Sequence, residues 1–449
     1  MKLDRPTLQQ LADWLAIAVV VSLPWSTSAT LALIVLWLIA VLPALDVASI
    51  RRELSTAAGG LPVLLWVLAA IGMLWADVSF ADRIDGLGGF HRLLAIPVLL
   101  AQFRRSDYGR RACSAFLISA IVMLALSWIL ALMPKAAAAS VPVFGRHFAL
   151  YGVPAKDYIF QSSVFLICAM ALIAAACERW RGWGWRNLVI LLGLAGCFLA
   201  NIAFVATART TVLVAPLLAI VLGHRLFGWR GVVVGGILAA ALIAAAVFVS
   251  PYLYLRVTYT LTELRGYLNA DAATSAGLHL DFLRRSAEIV ATAPAFGHGT
   301  GSIAEQLRLA ASGSSGTASA AAAVNPHNQI FAVAIQLGIV GAGVLLAMWA
   351  AHFLLFRGAG LLALIGTFIV VENFTSSLVT SHLFDFGQGW LYVFGVGIIG
   401  GTVRRNDAPR VSGGSALKRF SIVYVRSGGP GRDPKGWRHG LKPGNDMPG

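Results

Sequence analysis

Charge is scarce in this sequence: Asp, Glu, Lys and Arg make up 12% of 449 residues, against 58% hydrophobic residues. With a mean hydropathy of +0.77, that balance excludes a soluble globule and reads as a polytopic membrane protein. Acid is the scarcer sign, 20 Asp and Glu against 35 Lys and Arg, giving a net charge of +15. Cysteine is nearly absent. Cys113, Cys168, Cys177 and Cys197 lie in or at the ends of apolar runs with no metal-ligand spacing, so they read as packing residues and no disulfide is expected. There is no DxD motif. Asp77, Asp82 and Asp85 share one short loop without a matched histidine set, and neither a metal nor any other cofactor is expected. No repeat of solenoid period is visible, and the first apolar run, 10–25, passes straight into a second with no small-residue cleavage pattern. It reads as a first span, not a removed signal peptide.

What is present is apolar sequence in lengths that suit a bilayer, since a span needs roughly 20 such residues. The candidates lie near 10–25, 28–45, 60–76, 90–103, 112–133, 160–177, 187–206, 210–227, 231–250, 338–356, 360–380 and 385–403. The expected fold is therefore all-α, with about 12 transmembrane helices and one large loop domain. Basic loops are retained in the cytoplasm. With the N-terminus placed there, 24 of the 35 Lys and Arg fall on the cytoplasmic side and 11 on the other. Much of the positive charge is thus a topology signal, and a nucleic-acid partner is not expected.

The expected organisation is transmembrane helices 1 to 9 over 1–250, a large periplasmic loop over 251–337, helices 10 to 12 over 338–403, and a basic cytoplasmic tail over 404–449. That tail carries ten Lys or Arg against three Asp and reads as disordered near anionic headgroups. Only the outward segments 134–159 and 251–337 have room for an elaborate site. The second contains an amphipathic stretch, His279 to Ala293, with Leu280, Leu283, Ala287 and Val290 at helical spacing and Arg284, Arg285 and Glu288 on other faces, followed by the turn-rich Pro294 to Gly301. Ser312 to Ala323 is a Ser, Gly, Thr and Ala run that reads as a mobile loop or lid.

Residues able to carry chemistry collect on the outward side. His327, in Asn325-Pro326-His327-Asn328-Gln329, starts a short apolar helix, Ile330 to Leu337, that Gly338 breaks. A helix start disfavours imidazolium and keeps this ring neutral, able to accept a proton; the plain alternative is a histidine that only hydrogen-bonds there. Asn328 is placed to orient it or to bind a sugar hydroxyl. Arg209, at the outward end of a tight hairpin, reads either as an interfacial anchor or as a phosphate contact, its planar fork matching phosphate oxygens. His279, Arg284 and Arg285, with Arg256, Arg265 and Arg308, add outward positive charge that suits a polyanionic headgroup, or simply form a solvated face. His382 and Asp385 occupy the last outward turn, and Asp385 is placed to hold His327 in one tautomer or to pair with an arginine. Glu372 and Asn373 lie deeper, where acids are rare and usually paired.

These residues resemble the O-antigen ligase family, which shares a domain with O-antigen polymerases. The resemblance rests on Arg209 after a span, Thr274-Ser275-Ala276-Gly277 leading into the loop helix, Pro294 through Gly301, and Pro326-His327-Asn328-Gln329 followed by Gln336-Leu337-Gly338-Ile339-Val340-Gly341. It implies a GT-C-like, metal-independent inverting glycosyltransferase of the bacterial inner membrane, multi-pass with both termini cytoplasmic and its active site facing the periplasm. Its donor would be an undecaprenyl pyrophosphate-linked glycan, its acceptor a sugar hydroxyl of lipid A core. His327 would take the base or acceptor-orienting role and Arg209 the pyrophosphate role. The position after Thr-Ser-x-Gly-x is commonly Arg in the family and is His279 here, so the second phosphate contact falls to His279 when protonated, or to Arg284 or Arg285.

Two other readings stay open. An O-antigen polymerase uses the same donor with a lipid-linked glycan as acceptor. A transporter of anionic or lipid-linked cargo would place ionisable residues at mid-depth and broken helices in paired halves. Apart from Glu372 the charged candidates gather at one face, and no inverted repeat is visible. Oligomeric state, the glycan and the acceptor sugar are not legible.

Overall fold

The computed structural model describes residues 4–134, 152–180, 182–249, 254–255, 258–259, 262–263, 265–266, 275–312 and 325–407. The expected lid beyond Ser312, Thr274, Arg256, most of 134–159 and the tail from 408 lie outside them. Among the described residues every regular element is helical: α1 (Arg5–Ser22), α2 (Thr27–Ala44), α3 (Val47–Leu54), α4 (Ala57–Gly72), α5 (Phe80–His91), α6 (Ala95–Phe103), α7 (Gly109–Leu132), α8 (Tyr158–Arg179), α9 (Trp185–Phe204), α10 (Arg209–Phe227), α11 (Trp229–Val249), α12 (Ser275–Thr292), α13 (Ile303–Ser312), α14 (Gln329–Leu355), α15 (Leu361–Ser376) and α16 (Phe386–Asp407). A helix stands at each of the twelve apolar segments. Among the described residues eight helices are long and apolar enough to cross a membrane, Phe80–Phe103 (α5 with α6) counted as one, or nine if α3 and α4, bent by 86°, are one span; Trp229–Ala241 and α15 are shorter apolar helices. All-helical over its described residues, the chain is a polytopic membrane protein.

Small side chains let the central helices close up, as membrane packing requires where lipid supplies no hydrophobic drive between helices. α6 lies along α16, and a Cβ at Gly397 would sit 2.4 Å from Leu99 Cβ. At one end of the bundle, buried Glu53 holds Arg104 at 2.9 Å and also Arg404. Arg225 there donates to the carbonyls of Arg357 and Gly358 at 2.9 and 2.7 Å. The opposite end gathers the starts of α10 and α14, the end of α15 and the loop helices α12 and α13.

That opposite end is organised around a break in α14. Gly338 takes φ +63° and ψ −163°, outside helical values, where only glycine is free of strain. The backbone groups released by the break are taken up by the Pro294–Gly301 turn. Ile339 N donates to Pro294 O at 2.8 Å, while His298 N and Gly299 N donate to Ile335 O and Gln336 O at 2.8 and 2.9 Å. Gln336 Oε1 accepts from Gly301 N at 2.8 Å, and Thr300 donates from its backbone and hydroxyl to Gly72 O and Ala69 O on α4. The loop helices are therefore bolted to two core helices by backbone hydrogen bonds that, buried, cannot be left unmade.

The phase of α12 differs from the expected one. Leu280 and Ala287 are exposed, while Asp281, Phe282, Arg285, Ser286 and Ile289 are buried. The reason is an ion pair inside the helix: Arg285 Nε lies 2.5 Å from Asp281 Oδ2, one turn away, so a neutralised polar pair takes the inner face and Ile289 continues it against Leu307 and Ile335.

Gly338→Ala is expected to lower the thermal midpoint of the detergent-purified protein sharply. It adds left-handed strain of about 1–3 kcal/mol, and its Cβ would lie 2.2 Å from Ala295 O. Gly343→Ala on the same helix meets nothing within 4 Å and is expected to leave the midpoint unchanged or raise it, by up to about 1 kcal/mol of helix propensity.

Candidate active site

His327 sits immediately before the cap of α14 with φ +50°, a left-handed conformation that costs a non-glycine residue about 1 kcal/mol or more. Asn325 holds it there, its Oδ1 accepting from His327 N at 2.9 Å and from Ser381 Oγ at 2.8 Å. The ring lies between two side chains of α12: His279, edge-on with centroids 5.0 Å apart, and Phe282, nearly parallel at 5.8 Å. Burial holds the His327 pKa below its ordinary value, and the start of α14 beneath it acts in the same direction. His279 is also held below its usual range, by burial first and then by the charges of His327 and Arg209. Both rings are neutral at pH 7, each with one nitrogen able to accept a proton.

Arg209 is the first residue of α10 and is exposed. Its charge reaches His279, so three residues spread over more than a hundred positions of the sequence meet at one end of the bundle. The residue before it, Ala208, has no side chain to cap the helix, leaving the amide end of α10 beside the guanidinium, an arrangement that suits phosphate. The hydroxyls of Thr210 and Thr211 are buried there with no hydrogen-bond partner within the described protein.

Other expected site residues are placed differently. Arg285 is only 2% exposed and serves Asp281, so it does not present its guanidinium at the surface where a headgroup would lie. Arg284 is exposed and lies 3.2 Å from Asp281 and 3.8 Å from Glu288. Asn328 is the cap of α14, accepting from Ile330 N and Phe331 N at 2.9 and 3.1 Å and donating to Leu378 O at 2.9 Å. It thus caps α14 and ties that helix start to the α15–α16 loop. Asp385 makes no hydrogen bond to His327. Its neighbours are Arg92, which donates to the Asp385 and Phe384 carbonyls, and Asp157. Burial and then Asp157 push the Asp385 carboxyl up to about 6 against the opposing pull of Arg92.

His382 is fully buried in the α15–α16 loop beside Ser381, both ring nitrogens without a partner within the described protein, and burial takes its pKa down to about 4. Gln329 ties that loop to α14, its backbone donating to Ser377 O at 2.8 Å and its Oε1 accepting from Leu383 N at 3.0 Å. Glu372 lies deeper in α15 and is buried.

Sequence reasoning missed Phe282, Ser381 and Lys156. Phe282 was recoverable, lying three residues after His279 on the same helical face. Ser381 carries no signal that could have found it, because its role depends on a contact across fifty-six residues. Lys156 lies over the rings of Phe160 and Phe386 at 4.7 and 5.3 Å, with burial bringing its pKa to about 8.

The arrangement offers a neutral imidazole as base, a second imidazole against it, and a guanidinium at a helix start. It is a place where a hydroxyl can be deprotonated beside a bound phosphate. A comparison with known families finds that residues 194–346 match the family model described as O-Antigen ligase. No curated protein matches the chain. The matched range contains Arg209, His279, His327 and the Gly338 break and excludes His382 and Asp385. Over residues 194–346, this membrane protein is similar to the O-antigen ligase family.

Proposed function

We propose that the protein is an O-antigen ligase, a metal-independent inverting glycosyltransferase moving glycan from undecaprenyl pyrophosphate to a sugar hydroxyl of lipid A core at the periplasmic face of the inner membrane. The observation that carries the reading is the edge-on contact of His327 and His279 beside Arg209, inside the matched range. His327 takes the proton as the acceptor oxygen attacks the anomeric carbon, and the bond from that carbon to the pyrophosphate oxygen breaks. Charge then grows on the departing pyrophosphate, where Arg209 and the start of α10 stabilise the transition state more than the ground state. His279, neutral in the free protein, donates an N–H to the same group. A bound pyrophosphate opposes the effect of Arg209 and raises the His279 pKa, so the phosphate strengthens this contact. Arg284 stands at the exposed edge of α12 for the outer phosphate or the glycan.

Polymerase activity is the second reading, because the same site geometry and the same family domain serve either acceptor. The assay that separates them supplies purified protein with lipid-linked glycan and rough lipopolysaccharide in EDTA. Ligation yields polymer on the lipopolysaccharide; polymerisation yields longer lipid-linked chains; neither product, with active donor, overturns both. His327→Ala is expected to lower kcat/KM for transfer about 10²- to 10⁴-fold, the span of a general base. Arg209→Ala is expected to lower it by about 10²-fold or more. Both variants keep wild-type expression, and retained transfer in His327→Ala refutes the base role.

The pH profile follows from the direction of the His327 shift. A base works unprotonated, and a pKa held below 6.5 keeps it so into mildly acidic solution. Transfer is expected to hold level from pH 8 to below 6.5 and to fall on further acidification. A fall beginning above pH 7 contradicts the assignment.

A further inference from the structure

A groove of about 560 Å³ runs into the bundle from the end opposite the His327 site, between α7, α8, α15 and α16. Its walls are apolar, built by Leu117, Cys168, Ile369, Phe394 and Ile398 among others. It reaches Leu391, sixteen residues before Asp407 at the mouth, which is roughly 24 Å along the helix. The hydrocarbon of one leaflet is roughly 15 Å deep, half of a ~30 Å core, so the groove accommodates an acyl chain over its full length. A volume of this size lies in the range of pockets that bury small organic ligands, roughly 300–1,000 Å³.

The mouth carries charge of both signs. Arg110 opens α7, Glu178 and Arg179 close α8, and Asp407 ends α16. All four are exposed, and among the described residues no ion pair joins any of them to another. Arg179 is instead held over the Trp183 ring at 4.7 Å. Two cations and two anions left apart around one apolar slot neither attract nor repel a headgroup by net charge. They fit one that carries both charges.

We propose that this groove is a binding site for a phospholipid with a phosphoethanolamine headgroup, its acyl chain between α8 and α16. The phosphodiester lies between Arg110 and Arg179, where guanidinium donors match its oxygens, and the primary ammonium donates to Glu178 and Asp407. An anionic headgroup leaves the two carboxylates facing it unanswered. A quaternary ammonium has no N–H to give them. The site lies at the far end from His327 and does not depend on the proposed reaction.

The test is thermal unfolding of the full-length chain in delipidated detergent micelles, titrated separately with dioleoyl phosphatidylethanolamine, phosphatidylglycerol and phosphatidylcholine. Phosphatidylethanolamine is expected to raise the midpoint with saturation near one lipid per chain and an apparent Kd at least tenfold below either competitor. In Glu178→Gln/Asp407→Asn the preference over phosphatidylcholine and phosphatidylglycerol is expected to disappear, and in Arg110→Gln/Arg179→Gln the rise itself. Equal rises with all three lipids, no saturable rise, or an unchanged preference in the carboxylate variant overturns the proposal. The carboxylate variant is decisive even where the arginine variant is too unstable to purify.

Discussion

The backbone exchange between the Pro294–Gly301 turn and the break at Gly338 is the constraint on which the outer half of the molecule depends. A helix broken inside a membrane protein exposes carbonyls and amides that lipid cannot satisfy. Here the turn supplies the partners, and in doing so fixes the helix that precedes it. α12 is held against the first segment of α14, which is why His279 and Phe282 meet the ring of His327. The turn also reaches α4 through Thr300, so a segment that reads as a loop is as firmly seated as the spans around it. The glycines are needed because close backbone approach and positive φ coincide there, as at Gly297 and Gly299.

The two ends of the bundle handle charge in different ways. At one, Glu53 is buried and answered by Arg104 and Arg404, a structural use in which desolvated charge is neutralised on the spot. At the other, Arg285 of α12 is spent inside on Asp281, whereas Arg209 stands exposed at the start of α10, its charge adding to the burial that lowers the His279 pKa. On the proposed function, neutral imidazoles beside an exposed guanidinium suit a polyanion that brings its own charge. Half-buried Asp385, whose backbone carbonyl accepts from Arg92, makes no hydrogen bond to His327.

Much of this was legible in the sequence. The apolar runs marked where helices stand, and Gly338 after Ile330–Leu337 marked the break, since both signals are local. Arg209, His279 and His327 were recognisable as candidates from their outward positions and from the family resemblance, but their meeting was not, because it depends on docking between segments far apart in the chain. The phase of α12 was misread for a definite reason. A hydrophobic-periodicity reading assigns arginine outward, and the Asp281–Arg285 pair, neutralising itself one turn apart, reverses the rule. Asn328 was read as orienting His327 or binding a sugar hydroxyl, and the structure adds a cap on the amides of Ile330 and Phe331, a role that Asn before an apolar run signals on its own. Ser381 and Lys156 left no trace, since each matters only through contacts distant in sequence.

The central claim is that His279 and His327 form one functional unit, held together by the docked turn. A double-mutant cycle on glycan transfer tests it most directly, with His279→Ala and His327→Ala measured singly and together. Residues that act on one transition state in contact are not additive. The double variant is therefore expected to lose at least tenfold less activity than the product of the two single losses. Losses that simply multiply would show two independent residues, and would contradict the account.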